Sequence, residues 1–527
     1  MEAFDIEHRL VIENEFDAFS IEVKSPDPLQ GVTKKYPAKL HARKVAKALG
    51  AREGLIYLPG QWEANWEDSD QGPPFRQRRY FYYLTGANFP GCSVTYDIEA
   101  DKLTLWIPYT PPATILWFGK TPTPEDCLAR FDVHDVKHMD SLADYLSSRL
   151  SRVRTLYVLR ASQLPKFDGL DSLKPRLHID TTSLRPVMDE ARVIKSDYEI
   201  AMIRKANAVS SEAHRQVALS MHAMANECQL EATFVGSCTA QNAHAQAYPV
   251  IAGSGVNAST LHYDANNEDL AGRQLVVLDA GAEWDCYASD VTRTLPIGPT
   301  FTSEAKAIYD IVHRMQEECI ERVRPGVFFR DLQLHATFVA VEGLLRLGIL
   351  HNGTAEEIFK NGTGAAFFPH GLGHHVGLDV HDVLSKELLR PAGESMWGKR
   401  RPIGPHSLRA MIKQAATATT TSSSSSSSSN SSPKQGNNHH ALRPNMIVTV
   451  EPGLYFCRPY IEAYFLRNDQ HKNYINSAVL DKYWDVGGVR IEDCILVTED
   501  GYENLTTAPK GEELLRIVGV DARFLST

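Results

Sequence analysis

Four carboxylates stand on apolar, strand-like stretches of this chain, and burying them is the strongest constraint the sequence places on its fold. Asp279 ends the run LVVLD, Asp290 follows 11 positions later through AGAEWDCYASD, Glu451 ends IVTVE, and Glu492 lies inside GVRIEDCILV. Strands this apolar belong in a core. A carboxylate there is costly unless it is paired, hydrogen-bonded or bound to metal. Any fold that buries these segments must therefore bring cations to the acids.

Histidines supply a second cluster. His370, His374, His375 and His381 fall within 12 residues of FFPHGLGHHVGLDVHD, although the 527 residues contain 20 histidines in all. An even spread would place about 0.5 there. Gly371, Gly373 and Gly377 in the same stretch argue against a regular helix and for backbone packed close to a site. Carboxylates and imidazoles without a thiolate suit hard or borderline divalent ions, manganese ahead of a structural zinc. Four carboxylates match two dications, an arrangement suited to hydrolysis because a water between two metals is hydroxide near neutral pH.

Charge and composition narrow the class. Lys plus Arg number 55 and Asp plus Glu 65, for a net charge of −10, so there is no surplus to drive general binding to nucleic acid or an anionic membrane. No stretch reaches the ~18 apolar residues of a membrane span. MEAFDIEHRLVIENEF lacks the basic and apolar regions of a secretory signal, and FLST matches no retention signal. A cytoplasmic protein is expected, with its eight cysteines, none in a CxxC pair, as buried free thiols.

Periodicity predicts a helix over 40–49, strands over 54–60, 79–84, 103–108 and 155–159, and a helix over 141–150, which together make an α/β domain. The S-x-x-E box of Ser196 to Glu199 opens a long helix and a second domain. Further helices are expected over 303–323 and 330–347, and strands over 274–278, 446–450 and 489–497. The division is 1–190 and 191–527, interrupted by a disordered insertion at about 384–441 that holds eight consecutive serines, 422–429. His439 and His440 at its end read as a solvated pair.

LDAGAEWDCYASDVTRT, TLHY, PHGLGHHVGLDVHD, VEPGLY and GGVRIED resemble, in order, the motifs of the pita-bread metallopeptidases, family M24B, in the branch of aminopeptidase P and prolidase. The segment around RYFYYLTG is similar to the creatinase-type domain that precedes the catalytic domain there. The resemblance implies an α/β N-terminal creatinase-like domain followed by an α+β pita-bread catalytic domain. It also implies two divalent metal ions per subunit, most readily Mn2+. Asp279 would bind one metal alone, Asp290 and Glu492 would bridge both, and His374 and Glu451 would complete the coordination of the second metal. Glu451 would also act as general base, while His262, His370 and His381 would polarise the carbonyl or handle protons, and Arg490, read as lying on the strand face of Glu492, would steady the carboxylates or contact substrate. His375 is expected to be neither ligand nor acid, Asp285 and Asp493 to sit in the outer site or in solvent, and Asp379 and Asp382 to orient His374 or His381. The implied reaction removes the residue before a penultimate proline, through a hydroxide bridging the metals. The implied partners are peptides, with no nucleic acid and no membrane, and with room for a homo-oligomer. A prolidase, an inactive binding protein on the same fold and a metal-free creatinase-like hydrolase are the alternatives.

Overall fold

The computed structural model describes residues 35–389 and 441–524. The first element is helix α1 (Ala38–Leu49), closed by Gly50 in the left-handed region at φ 67°. Strand β1 (Leu55–Pro59) follows, then helix α2 (Arg79–Thr85), then strands β2 (Ser93–Asp97), β3 (Lys102–Ile107) and β4 (Asp135–His138). Helix α3 (Leu142–Leu150), β5 (Thr155–Val158) and β6 (His178–Asp180) complete one six-stranded sheet, ordered β4-β3-β2-β1-β5-β6. The β1–β2 and β2–β3 pairs are antiparallel, whereas β1–β5, β5–β6 and β3–β4 are parallel. Parallel pairs need helical crossovers, which α3 and its neighbours provide.

Residues 79–84 form α2 where the aromatic run predicts a strand. Of its seven residues all but Tyr80 are buried, so RYFYYLT carries no one-sided pattern by which to tell a short buried helix from a buried strand. Thr85 donates its hydroxyl back to the Phe81 carbonyl at 2.9 Å, and Gly86 at φ 73° ends the turn.

Helix α4 (Leu184–Val193) leads into α5 (Asp197–Ser220), whose Ser196 and Glu199 form the expected capping box. Helix α6 (Glu227–Ala240) follows, and β7 (Ile251–Ser254), β8 (Leu275–Asp279) and β9 (Thr292–Pro296) form an antiparallel sheet with β8 in the centre. Helices α7 (Ser303–Ile320) and α8 (Phe329–Arg346) lie where the pattern places them. Late in the chain, β10 (Ile447–Val450) pairs antiparallel with β13 (Asp493–Val497), and β11 (Gly453–Tyr455) with β12 (Gly488–Arg490). A last strand, β14 (Tyr502–Asn504), extends the sheet beyond β13. The single strand expected over 489–497 is thus two, β12 and β13, broken at Ile491 and Glu492. Each half pairs with a different partner strand, and the change of partner bends the chain there.

One apolar core joins α7 and α8 to the inner faces of β8, β10, β12 and β13, through Ile308, Met315, Leu332, Val277, Val448 and Ile495 among others. A second spans the two halves of the chain, packing Phe81, Tyr82 and Tyr83 with Ile200, Ile203, Tyr287 and Val376. The core between the halves is the reason the catalytic segments have a fixed wall behind them. All eight cysteines are free thiols, but Cys228 is exposed and Cys457 half-buried, so the expectation of buried thiols holds for six. The poly-serine run, His439 and His440 lie outside the described residues. A turn at Ser385–Glu387 and the buried Leu388 and Leu389 lie within the stretch expected to begin the insertion, and 390–440 is outside the described residues.

Candidate metal centre and active site

Backbone pairing explains how distant acids meet. Asp279 is the last residue of β8 and lies opposite Thr292, the first of β9. Between them the chain makes a hairpin, Ala282–Trp284 against Tyr287–Ala288, turned by Asp285 and Cys286 at φ 47° and 67°. Left-handed residues at both central positions match the twist of flanking strands. The excursion returns the chain so that Asp290 stands beside Asp279. Asp285 therefore serves the turn. Its backbone oxygen accepts from Tyr82 at 2.7 Å.

His374 is positioned by a segment that runs antiparallel along β10. The Thr449 amide donates to the His374 carbonyl at 2.9 Å, the Glu451 amide to Leu372 at 2.8 Å, and His375 bridges Val448. That close approach needs glycine at 373, where a Cβ would stand 2.1 Å from the Thr449 oxygen. His374 thereby comes beside Glu451 at the end of β10. Glu492, at the break between β12 and β13, bridges Thr292 and accepts from its hydroxyl at 2.7 Å.

The side chains converge. His374 Nε2 lies 3.3 Å from Asp290 Oδ2, 3.5 Å from Glu451 Oε1 and 3.9 Å from Glu492 Oε1. Candidate ligand atoms of Asp279, Asp290 and Glu492, and separately of His374, Glu451 and Glu492, fall within 4.8 Å of one another. His374 Nδ1 donates to the His375 carbonyl at 3.1 Å, which fixes the tautomer and leaves Nε2 for the carboxylates.

These residues fit a cation better than they fit each other. Glu492 Oε1 is buried with no hydrogen-bond partner. Burial, then the neighbouring acids, drives Glu492 well above the carboxylate range, and burial pushes Glu451 up to about 7. Burial alone would lower His374, but its hydrogen bond to Asp290 and the charges of Glu451 and Asp290 raise it to about 9. The cluster would thus gather protons, and a metal ion in their place satisfies the same oxygens.

Around this floor opens a cavity of about 940 Å³, whose lining includes all nine residues singled out from sequence: His262, Asp279, Asp290, His370, His374, His381, Glu451, Arg490 and Glu492. His381 packs edge-on against His374 with ring centres 4.3 Å apart, and His262 and His381 are both exposed to the opening. Although one edge of its ring reaches the opening, the protein packed around the rest of it, then the charge of His374, lowers His381 to about 4. His370 is different because both nitrogens are occupied. Nδ1 is 2.7 Å from the Gly371 carbonyl, which can only accept, so Nε2 accepts from the Tyr455 hydroxyl at 2.8 Å. Arg490 completes the chain, donating to Tyr455 at 2.9 Å and to Asp279 at 2.7 Å.

Two residues went unpredicted. Tyr248 donates to Asp279 Oδ1 at 2.7 Å, and nothing in AQAYPVI marks it. Tyr455 stands within the quoted VEPGLY, and only the fold shows that its hydroxyl joins Arg490 to His370. Three expectations need correction. Asp379 and Asp382 do not reach His374 or His381. Asp382 binds Arg192 at 2.6 Å and Lys195 at 3.2 Å, while Asp379 binds Arg192 and Arg76, because their segment faces α4 and the first domain. Asp493 is neither solvated nor in the outer site. It is fully buried against Arg293 at 2.8 Å and Lys510 at 2.7 Å. Arg490 and Glu492 do not share one strand face, since the break falls between them, yet both still point to the cavity.

Comparison with known proteins identifies the family. Residues 201–499 match the model of metallopeptidase family M24, and residues 39–157 match the aminopeptidase P N-terminal domain. A protein of Colletotrichum graminicola named probable Xaa-Pro aminopeptidase is 53% identical, with 97% of this chain and 98% of that one covered. One of Metarhizium robertsii with the same name is 51% identical, covering 98% and 99%. Among solved structures, Escherichia coli aminopeptidase P with the inhibitor Pro-Leu superposes with a TM-score of 0.70 at 25% identity, covering 93% of this chain and 100% of that one. Proline aminopeptidase P II of Yersinia pestis gives 0.68 at 26% identity, covering 92% and 99%. With more than half its length matched by the family model and full-length relatives near 50% identity, the chain belongs to metallopeptidase family M24, with an aminopeptidase P N-terminal domain ahead of the catalytic one.

Proposed function

We propose that this chain is a metal-dependent aminopeptidase that releases the residue preceding a penultimate proline. The observation that carries the reading is the convergence of four carboxylates and His374 at the floor of one cavity, with Glu492 Oε1 buried and unpartnered among them. Asp279, Asp290, His374, Glu451 and Glu492 would hold two divalent ions, for which an oxygen-rich set with one imidazole favours Mn2+. When bound, the ions supply Lewis-acid activation of water and of the scissile carbonyl.

The remaining work falls to side chains. Glu451 takes a proton from the attacking water and passes it to the proline nitrogen, a leaving group with no hydrogen of its own until it is protonated. His262 and His381, exposed at the opening, donate to the scissile carbonyl as charge gathers on its oxygen. His370, with both nitrogens engaged, is a positioning residue that holds Tyr455 and Arg490 against Asp279. Pro249, Ile251, Leu261 and Val380 offer apolar surface to the pyrrolidine ring.

The cavity's size favours peptides of three or more residues over strict dipeptides, since about 940 Å³ stands at the upper end of the range for small-ligand sites. Among the described residues no helix is long and apolar enough to cross a membrane, and the proposed compartment is the cytoplasm. The test is to load the protein with Mn2+, measure metal content, and offer Xaa-Pro-Yaa beside Xaa-Pro. Cleavage of the tripeptide at the Xaa-Pro bond with about two bound metals supports the reading. Cleavage of the dipeptide alone makes the chain a prolidase, and silence on both refutes the proposal.

A further inference from the structure

A second cavity, of about 520 Å³, lies on the other side of the segment that carries His381. Asp379 lines it, while the next two residues, Val380 and His381, line the candidate active site. Its remaining wall comes from the first domain, from Leu58 and Pro59 at the end of β1 and from Leu159 and Arg160 just beyond β5. β1 and β5 are parallel neighbours, and the chain leaves β1 toward β2 on one side and β5 toward β6 on the other. The carboxyl ends of adjacent strands whose connections diverge form the crevice in which open α/β sheets bind ligands.

The charge there is unbalanced. Arg76, Arg78, Arg79 and Arg160 all line the cavity, against the one carboxylate of Asp379. Arg76 is committed to Asp379 and Arg79 to Glu283. Arg78 and Arg160 form no ion pair among the described residues. The side-chain hydrogen bond of Arg78 runs from Nε to an uncharged acceptor, Gln61 Oε1, at 3.1 Å. Arg79, its side chain 4% exposed, keeps a buried Nε with no hydrogen-bond partner. Burial, followed by the like charge of Arg160, lowers the pKa of Arg78. Two uncompensated guanidinium forks facing one space are the arrangement that phosphate oxygens satisfy in bidentate fashion.

We propose that this cavity is an anion site for a small organic phosphate, with the phosphate between Arg78 and Arg160 and the organic part against Pro59 and Tyr80. The cavity is far larger than one inorganic phosphate needs, and that apolar wall is why the ligand is an ester and not the free ion. Ligand held there touches the segment bearing His381 from behind without entering the peptide site.

The probes are phenyl phosphate and inorganic phosphate, titrated by calorimetry into the metal-loaded full-length protein, with saturating proline-initial dipeptide present to block the metal centre. Phenyl phosphate should bind saturably and more tightly than inorganic phosphate. Arg78→Gln with Arg160→Gln should weaken it by about tenfold or more, since each removes a charge-assisted hydrogen bond, and leave peptidase kcat/KM in plain buffer unchanged. Equal affinity in the double variant, or no heat at millimolar concentration with the dipeptide present, overturns the site. Inorganic phosphate binding as tightly as phenyl phosphate overturns the organic part of the assignment. Should the double variant fail to fold, judged by its urea midpoint, Arg160→Gln alone is decisive because Arg160 is exposed.

Discussion

Replacing Arg192 by methionine tests whether the histidine segment is held from behind. The side chains of Arg192, Asp382 and Lys195 are each 1% exposed, so the cluster they form is dry. Arg192 Nη2 reaches Asp382 Oδ1 at 2.6 Å and Asp379 Oδ2 at 3.0 Å, and its guanidinium lies 4.9 Å from the Tyr80 ring centre. Removing one partner of a buried pair costs about 3–5 kcal/mol, because the other charge stays behind in low dielectric. Two facts move the expectation to the lower end. Lys195 still faces Asp382, and Arg192 Nε and Nη1 are themselves buried without partners, so deleting them removes a penalty. The contact to Asp379, 35% exposed, adds at most about 1 kcal/mol. Arg192→Met should therefore lose about 3 kcal/mol in urea denaturation, read from the first transition with its m-value. Adding Asp382→Asn should not recover the loss, since Lys195 then becomes the buried charge without its partner, but the double variant should cost less than the sum of the two singles. Peptidase kcat should fall more than KM rises, because the segment carries His374 and His381 but only Val380 of the proposed substrate pocket. A cost under about 1 kcal/mol, or a double variant weaker than the sum of the singles, would refute the argument from burial.

Other perturbations reach different parts of the molecule. Asp290→Ala should abolish both metal content, measured on the purified protein, and peptide cleavage; unchanged values in both would remove Asp290 from the ligand set. Tyr455→Phe deletes the hydroxyl between Arg490 and His370 and leaves two buried groups unsatisfied, a cost of about 1–3 kcal/mol, with metal content retained and kcat/KM lower. Tyr248→Phe should weaken metal binding by about 10- to 100-fold in a chelator competition, because Asp279 loses the donor that orients it. Glu199 sets an acid limit. Burial alone would raise it, but the charge and hydrogen bond of His41 and the Ser196 amide bring it down to about 2 from the ordinary 4.5. A depressed folded pKa stabilises above the unfolded value, so roughly 3 kcal/mol present at neutral pH should disappear as pH falls from about 4.5 to 2, and Glu199→Gln should flatten that limb in a pH series of melts.

Much of this was legible because the chain repeats its message at several levels. The Ser196 box, the periodicity of α7 and α8 and the apolar runs of β8 and β10 are each local signals, and the fold agrees with them. The candidate ligands were legible for the opposite reason, as polar groups where local rules forbid them. What sequence hides is decided by partners far away. α2 is a helix because neighbours bury nearly every side of it, and the bend at Glu492 exists because β12 and β13 answer to different strands. Asp379 and Asp382 share the histidine motif but face α4, a direction that spacing along an irregular segment cannot convey. Tyr248 had no signal at all, being one of 20 tyrosines until Asp279 is set beside it.

The pairing of Thr292 with Glu492, 200 positions apart, and of Asp279 with Arg490, 211 apart, also fixes when the protein becomes active. Synthesis must pass Glu492 before the candidate ligand set is whole, so a fragment ending short of it cannot assemble the proposed centre, however well it folds. The long stretch between His381 and Glu451 delays closure little, because the entropic cost of joining loop ends grows only with the logarithm of their separation. Hydrolytic power is thereby withheld from chains truncated before Glu492.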